Sequence, residues 1–486
     1  MAVSRGGLLS LGLVVLAASG CGVAPAYKKP STPAPPSYGE AGEWKKAEPV
    51  EAAPRGAWWQ AFGDPELTAL EEQIDVSNQN LKAAEARFRE ARALLRQSRS
   101  ALFPNGTLGA QATRTRTSRN ALPFSPTNGS TYDDATLSGT FSYEVDAWGR
   151  VRSTVAAARA TLEASAADLA VVNLGLHADL AADYFQLRGL DAEERLFRST
   201  VSAYEEALSL TRDRFQGGVA SGVDVAQAET QLETTKAQAI DLGVQRAALE
   251  HAIAVLVGQP PAGFHVPANP STGAPPSFPT GVPSELLERR PDIAGAERRV
   301  VAANAQIGVA RAAYFPVLNL TGTGGFESGS LSTWLSAPSA LWSAGVSALV
   351  TLFDAGKRRA ITDQAWASYD EAVADYRETV LTGFEEVEDS LASLRLLADE
   401  SRVQQDAVQA SSRSLALSTN RYKGGVATYL EVITAQSIDL ANERTAVEIH
   451  VREMLASVEL VRALGGGWSA SALSHLTEAE RTQATP

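Results

Sequence analysis

One cysteine, two methionines and five histidines are all the soft-ligand chemistry that the 486 residues offer. A single cysteine, Cys21, rules out an intrachain disulfide and any cysteine-rich metal site. The histidines, His177, His251, His265, His450 and His475, are scattered, and none forms an HExxH pair. Phosphate-binding P-loops and the GxSxG elbow of serine hydrolases are also missing, so nothing points to an enzyme. Basic residues are outnumbered, 43 against 56 acidic, for a net charge of −13, which argues against a nucleic-acid partner. No apolar run of 18 residues follows position 20, and mean hydropathy is −0.11. That excludes a bundle of membrane-spanning helices. It does not exclude a membrane-spanning β-barrel, whose strands are half polar.

The N-terminus carries what the rest lacks. Arg5 precedes an apolar stretch, Leu8 to Ala18, and then Ser19-Gly20-Cys21. This is the layout of a secretory signal. The only cysteine directly after small residues predicts cleavage before Cys21 and lipidation of its thiol. Ala18 stands where a lipoprotein box favours Leu. A proline-rich stretch (Pro25, Pro30, Pro33, Pro35, Pro36) follows and reads as an extended tether.

The remainder repeats itself. Arg214-Phe215-Gln216-Gly217-Gly218-Val219-Ala220-Ser221 returns as Arg421-Tyr422-Lys423-Gly424-Gly425-Val426-Ala427-Thr428. Asp224-Val225 returns as Glu431-Val432, and Phe103-Pro104 as Phe315-Pro316. Asp146-Ala147-Trp148-Gly149-Arg150 is answered by Asp354-Ala355-Gly356-Lys357. Such long repeats are too large for a solenoid and describe a duplicated supersecondary unit. Each reads helix, two strands, very long helix, glycine turn, helix. The first helix is expected over about Pro65 to Leu102. Strict alternation marks the strands. Leu137, Gly139, Phe141, Tyr143 and Val145 share one face, as do Trp342, Ala344, Val346, Ala348, Val350 and Leu352. Leu318, Leu320 and Phe326 form a third such row. Between Asp354 and Lys423 there is no proline, and Trp366, Tyr369, Val373, Tyr376, Val380, Phe384, Val387, Leu391 and Leu394 fall close to a heptad seam. Leu162, Leu169, Val172, Leu176, Tyr184 and Leu187 form a similar stripe in the first repeat.

Four strands cannot close a barrel alone, and an open sheet edge is not tolerated in lipid. If the strands span a membrane, several chains share one barrel, and three chains give an even twelve.

Carried by these features, the chain resembles the outer-membrane factor family, channels of the TolC and OprM type, NodT-like lipoproteins included. The residues that carry the resemblance are Tyr27-Lys28-Lys29-Pro30, Trp58 to Leu67, Tyr143 to Arg150, Arg289-Arg290-Pro291-Asp292-Ile293, Tyr422 to Gln436 and Leu464-Gly465-Gly466-Gly467-Trp468. The resemblance implies a mainly α protein with a transmembrane β part: a homotrimer whose twelve-stranded barrel continues into a long periplasmic α-helical barrel. It implies a passive exit duct in the outer membrane, with no cofactor beyond the lipid on Cys21. An inner-membrane resistance-nodulation-division (RND) transporter and a periplasmic adaptor would be its partners, and drugs or other small toxic compounds its cargo. Two alternatives stand: the duct of an ATP-driven (type I) protein secretion system, or a lipoprotein scaffold without a pore.

On this reading the domains are a signal peptide (1–20), a lipidated tether (21–60), the first repeat (61–258), a linker (259–283), the second repeat (284–468) and a polar tail (469–486). The glycine turns would form the periplasmic tip that meets the adaptor, through Gly217, Gly218, Val219, Gly424, Gly425 and Val426. The resemblance places a pore constriction at Asp224, Glu431, Thr434 and Tyr422. Family members carry a second acid at the position of Thr434 and a basic brace at that of Ala427. Tyr422 matches a tyrosine that hydrogen-bonds to a neighbouring hairpin, with Asp224 as its expected acceptor. Asp224 and Glu431 also suit a plain first helical turn, where the macrodipole favours acids. Arg114, Arg116 and Arg119, beside an outer loop expected over Ser118 to Asp133, face lipopolysaccharide phosphates or the pore mouth, or belong to a solvated basic loop.

Overall fold

The computed structural model describes residues 22–32, 35, 37–41, 56–120, 129–271, 273–276, 278 and 286–471. The stretch expected to be a signal peptide (1–20), Cys21 and most of the expected tail (469–486) lie outside the described residues. The helices are α1 (Pro65–Ser77), α2 (Gln79–Ser100), α3 (Arg150–Gln216), α4 (Gly222–Leu256), the single turn α5 (Leu286–Arg289), α6 (Pro291–Ala312), α7 (Lys357–Lys423) and α8 (Tyr429–Ala463). The strands are β1 (Asn105–Arg116), β2 (Thr131–Val145), β3 (Val317–Ser328) and β4 (Ala340–Leu349). The duplicated order is present, with α3 and α7 both 67 residues and α4 and α8 both 35.

Three boundaries differ from the sequence reading. The first helix is two helices, broken at Asn78. The Asn78 side chain accepts from the Leu81 amide (2.9 Å) and donates to the Leu256 carbonyl (2.7 Å), so it ends one helix and caps the next. The last strand stops at Leu349, opposite Val317, and not at Leu352. Its partner strand begins after Pro316, which has no N–H to extend the ladder and whose carbonyl takes the Trp148 indole N–H at 2.8 Å. The outer loop is shorter than expected, because Arg116 still pairs with Thr131.

The chain forms two compact units that cut across the repeats. The first comprises the described parts of residues 1–31, 88–165 and 296–376. At its centre is one antiparallel sheet in the order β1-β2-β3-β4, so β1 and β4 are edges. The register lines residues into rows of one chemistry. Leu108, Gly139, Gly324 and Trp342 form one row; Gly106, Phe141, Gly322 and Ala344 the next; then Tyr143, Leu320 and Val346. These rows, with Ala110, Leu137, Phe326 and Ala340, share one face, an apolar band that gives way at its outer end to Ser328, Arg114 with Asp133, and Arg116 with Thr131. The opposite face carries Thr107, Thr140, Thr323 and Ser343, and beyond them Glu144, Asn319 and Ser347. The apolar face is open in the single chain: Leu108 is 78% exposed, Phe141 64% and Trp342 82%.

One end of the sheet is built from the Asp-Ala-Trp-Gly-Arg motif. Asp146 accepts from the Val151 (3.0 Å) and Arg152 (2.8 Å) amides and so starts α3. Glu144 holds Arg150 through two bonds, 2.7 and 2.6 Å. Trp148 stacks on Phe315 at 4.7 Å. In the second repeat Asp354 takes the same part toward the Arg358 amide (3.2 Å). The N-terminal segment is tied to α6: Tyr27 donates to Glu297 (3.2 Å), Lys29 pairs with it (3.2 Å), and Asn304 donates to the Pro25 carbonyl (3.0 Å).

The second unit comprises the described parts of residues 32–87, 166–295 and 377–486 and is helical. Its core gathers Trp58, Trp59, Leu67, Ile74, Leu180, Tyr184, Phe185, Leu187, Ile253 and Val458. The Trp58-to-Leu67 motif builds its entrance. Gly63 ends a short 3-10 turn in the left-handed region. Asp64 then caps α1 on the Glu66 (2.9 Å) and Leu67 (3.1 Å) amides and takes the Tyr184 hydroxyl (2.6 Å). Arg188, fully buried, bonds Glu66 (2.6 Å), Asp191 (2.9 Å) and the Pro267 carbonyl (2.7 Å). That last contact docks the stretch expected to be a plain linker. Arg290 makes the matching knot in the second repeat, to Asp292, Glu386 and the Ala463 carbonyl. Gly465 ends α8 at φ +89, where a Cβ would strike the Arg289 carbonyl, so the Gly-Gly-Gly-Trp motif is a packing requirement. Of the expected heptad stripe, Tyr376, Val380, Phe384, Val387 and Leu391 are buried, Tyr369, Val373 and Leu394 are half-buried, and Trp366 is exposed.

Beneath Trp59 lies a buried titratable cluster. The ring of His177 stacks on Trp59 at 4.4 Å, and its Nδ1 lies 2.6 Å from Glu71 Oε2. Its Nε2 is 3.4 Å from Asp75. Burial pushes the Glu71 carboxyl up to about 7, against the lowering effect of His177.

Candidate functional site

The two glycine turns have the same backbone. After α3, the Val219 amide bonds back to the Arg214 carbonyl (2.8 Å) with Gly218 at φ +72. After α7, Val426 bonds back to Arg421 (3.0 Å) with Gly425 at φ +74. Both helices therefore end in a left-handed glycine, which needs no Cβ. Gly217 and Gly424 precede these residues and are exposed. Val219 and Val426, 68% and 70% exposed, stand at the turns as matching apolar points. Behind them a small core holds the helices together: Tyr204, Leu208, Ala228, Leu232, Tyr422, Tyr429 and Val432. Burial pushes the Tyr429 hydroxyl up to about 12, with Tyr422 and Tyr204 adding to it.

The expected constriction residues separate here into different roles. Asp224 closes a capping box: it accepts from the Ser221 amide (2.9 Å), while Ser221 accepts from the Asp224 amide (3.2 Å). Its expected hydrogen bond with Tyr422 is not made. The Tyr422 hydroxyl, buried, lies 3.5 Å from Thr211 Oγ1 instead. Glu431, at the duplicated position, does not cap its helix; Thr428 makes no side-chain cap bond. The extra methylene of Glu lets it reach back across the turn to Arg421 at 3.3 Å. Thr434 is exposed and donates to the Leu430 carbonyl (2.9 Å).

Two arginines that the sequence reading passed over organise the turns. Arg421 is the partner of Glu431. Arg214 donates to the Lys423 carbonyl (3.1 Å) and lies over the Tyr422 ring at 4.7 Å. Both were visible as the first residue of the repeated octapeptide, yet their separate partners depend on how the turns pack. At the sheet, Arg114 sits 3.6 Å from Asp133, Arg116 is opposite Thr131, and Arg119 packs on Gly129. Cys21 lies outside the described residues.

The sequence matches the outer membrane efflux protein family over residues 70–259 and 282–466. It is 34% identical over 455 residues to the pyoverdine export outer membrane protein OpmQ of Pseudomonas aeruginosa, covering 90% of this chain and 94% of that one. It is 34% identical over 468 residues to the toluene efflux pump outer membrane protein TtgF of Pseudomonas putida, covering 95% and 96%. Among solved structures it superimposes on the outer-membrane channel OprN with a TM-score of 0.85 at 32% identity, covering 92% of this chain and 100% of that chain. The outer membrane protein VceC from Vibrio cholerae gives a TM-score of 0.80 at 29% identity, covering 85% and 99%. The chain belongs to the outer membrane efflux protein family and is an outer-membrane efflux channel, a passive duct and not an enzyme.

Proposed function

We propose that this chain is the outer-membrane duct of a tripartite, RND-type efflux pump that carries small toxic amphiphiles out of the cell. The observation that carries the reading is the sheet: four strands whose one face is an apolar band ending in charged residues at its outer rim, whose other face is mainly polar, and whose two edges are open. An apolar face of that size suits lipid, and open edges in lipid leave backbone groups unpaired at several kcal/mol each. Three copies joined edge to edge give a closed barrel of twelve strands with the polar face inward. Phe103 and Phe315 enter β1 and β3, and Trp148 and Phe353 follow β2 and β4, so aromatic residues gather at one end of the sheet. Such a girdle marks a membrane interface, here the periplasmic one.

Acylation of Cys21 would anchor the tether at the same level. The segment that begins at Gly22 supports this, since Val23 bonds to the carbonyl of Trp148 (3.4 Å), inside that girdle. The glycine turns serve as the adaptor-docking tip, with Val219 and Val426 as apolar contact points. Glu431 lines the closed pore beside Thr434, Tyr422 supports them from the small core behind, and Asp224 holds its own helix. Relatives named for toluene efflux and pyoverdine export favour small organic cargo.

The test is a deletion strain complemented with the chain. Loss of tolerance to hydrophobic antibiotics or solvents on deletion, restored by the gene, is the expected result. Unchanged tolerance together with loss of a secreted protein would move the reading to a secretion duct.

A further inference from the structure

We infer that Arg214 is a positioning residue for closure: a strut from the first hairpin (α3 and α4) that holds the end of α7, and through it the constriction, in place. The inference rests on the gate reading above.

The duplicated positions differ in their partners. Asp224 and Glu431 are equivalent in the repeats, as are Arg214 and Arg421. In the first hairpin the acid is short and locks its own helix start through the capping box with Ser221. Its arginine is thereby left without an in-hairpin carboxylate and turns to the other hairpin. The Arg214 guanidinium donates to the carbonyl of Lys423, the last residue of α7, where the unsatisfied carbonyls and the negative end of the helix dipole lie. The same group covers the ring of Tyr422, itself only 5% exposed, and its Nε is buried with no hydrogen-bond partner. A guanidinium with one edge turned away from water and its face on an aromatic ring gains from that ring. In the second hairpin the acid is longer and takes Arg421, but Thr428 leaves the start of α8 without a side-chain cap. The first turn is thus self-contained, whereas the second leans on a side chain from its neighbour.

Arg214 therefore stands in for the tyrosine-to-aspartate bond that the family resemblance led us to expect between the hairpins. It touches no cargo and acts through Tyr422 and the α7 end. A planar, multiply donating group suits that double task, so lysine is a poor substitute.

Purified full-length protein, reconstituted in planar bilayers, tests the strut. Arg214→Ala should raise resting open probability about fivefold to tenfold while leaving the melting temperature unchanged. Arg214→Lys should recover only part of the closure. Tyr422→Ala should open the channel as well, and the double variant should open it no further than Tyr422→Ala alone, because the two act as one unit. Wild-type gating in Arg214→Ala, with Tyr422→Ala open, would overturn the strut and keep the tip as the constriction. Wild-type gating in both would overturn the strut and the gate reading together. A lowered melting temperature with unchanged gating would reduce Arg214 to a fold-stabilising residue and overturn it as well.

Discussion

Replacing Glu71 by Gln should make the helical unit more stable above neutral pH, although it removes a buried partner of His177. The Glu71 side chain is 0% exposed; Oε2 faces His177 Nδ1 at 2.6 Å, and Oε1 has no hydrogen-bond partner. Burial is the main cause that lifts its pKa from 4.5 to about 7, with the nearby Asp75 adding to it and His177 opposing. An acid raised in this way binds more proton when folded than when unfolded. Its contribution to stability is complete below pH 4.5 and is lost as pH rises through about 7. A shift of that size corresponds to on the order of 3 kcal/mol. Gln keeps the shape and still accepts from His177, yet never takes on the charge. Thermal unfolding followed by tryptophan emission between pH 5 and pH 8.5 is the assay, with Trp59 stacked on His177 as a local reporter. The wild-type melting temperature should fall toward alkaline pH, and the Gln variant should be flatter and cross above it near neutrality. A Gln variant that melts below wild type at pH 8 with the wild-type slope would contradict this, because the ionised Glu71 carboxylate would then be worth more to the fold than its desolvation costs.

Other outcomes follow from single residues. The mature protein should begin at Cys21 and carry acyl mass; an intact-mass measurement showing another start and no acyl chain would remove the lipid anchor. Glu431→Gln should lower cation selectivity in single-channel recordings, whereas Asp224→Asn should leave it unchanged. Asp224→Ala should instead loosen the start of α4 by about 1 kcal/mol, read as faster amide exchange at the turn. Gly465→Ala should cost roughly 1–3 kcal/mol, because φ is +89 and the new Cβ meets the Arg289 carbonyl; a lower melting temperature or loss from the outer membrane would report it.

Periodicity explains which parts of this architecture were legible in the sequence. The rows of Leu137, Phe141 and Tyr143, or of Trp342 and Val346, alternate strictly, and alternation survives whatever the sheet packs on. Likewise Val380, Val387 and Leu391 follow the helical repeat and are buried. Duplication exposed both turns, since glycines that need positive φ recur with their neighbours. Features that depend on two distant segments meeting were less accessible. Asn78 breaks a helix because its side chain finds the Leu256 carbonyl, 178 residues away. The linker after Gln259 is docked because Arg188 and Arg246 take the carbonyls of Pro267 and Val266. At the tip, one methylene separates Asp224, which caps, from Glu431, which reaches Arg421. A pattern that scores both as acids treats them as equivalent; the Tyr422–Asp224 bond that the resemblance implies is absent because Asp224 is taken up by the Ser221 cap and the Tyr422 hydroxyl lies beside Thr211.

A membrane-spanning role for the four-stranded sheet requires three chains to share one barrel. Native mass spectrometry of the detergent-solubilised protein measures this directly. Three copies, stable until the detergent is stripped under conditions that unfold the chain, are the predicted result. A stable monomer that conducts ions would contradict it, because four strands with two open edges could not then be the membrane-spanning element.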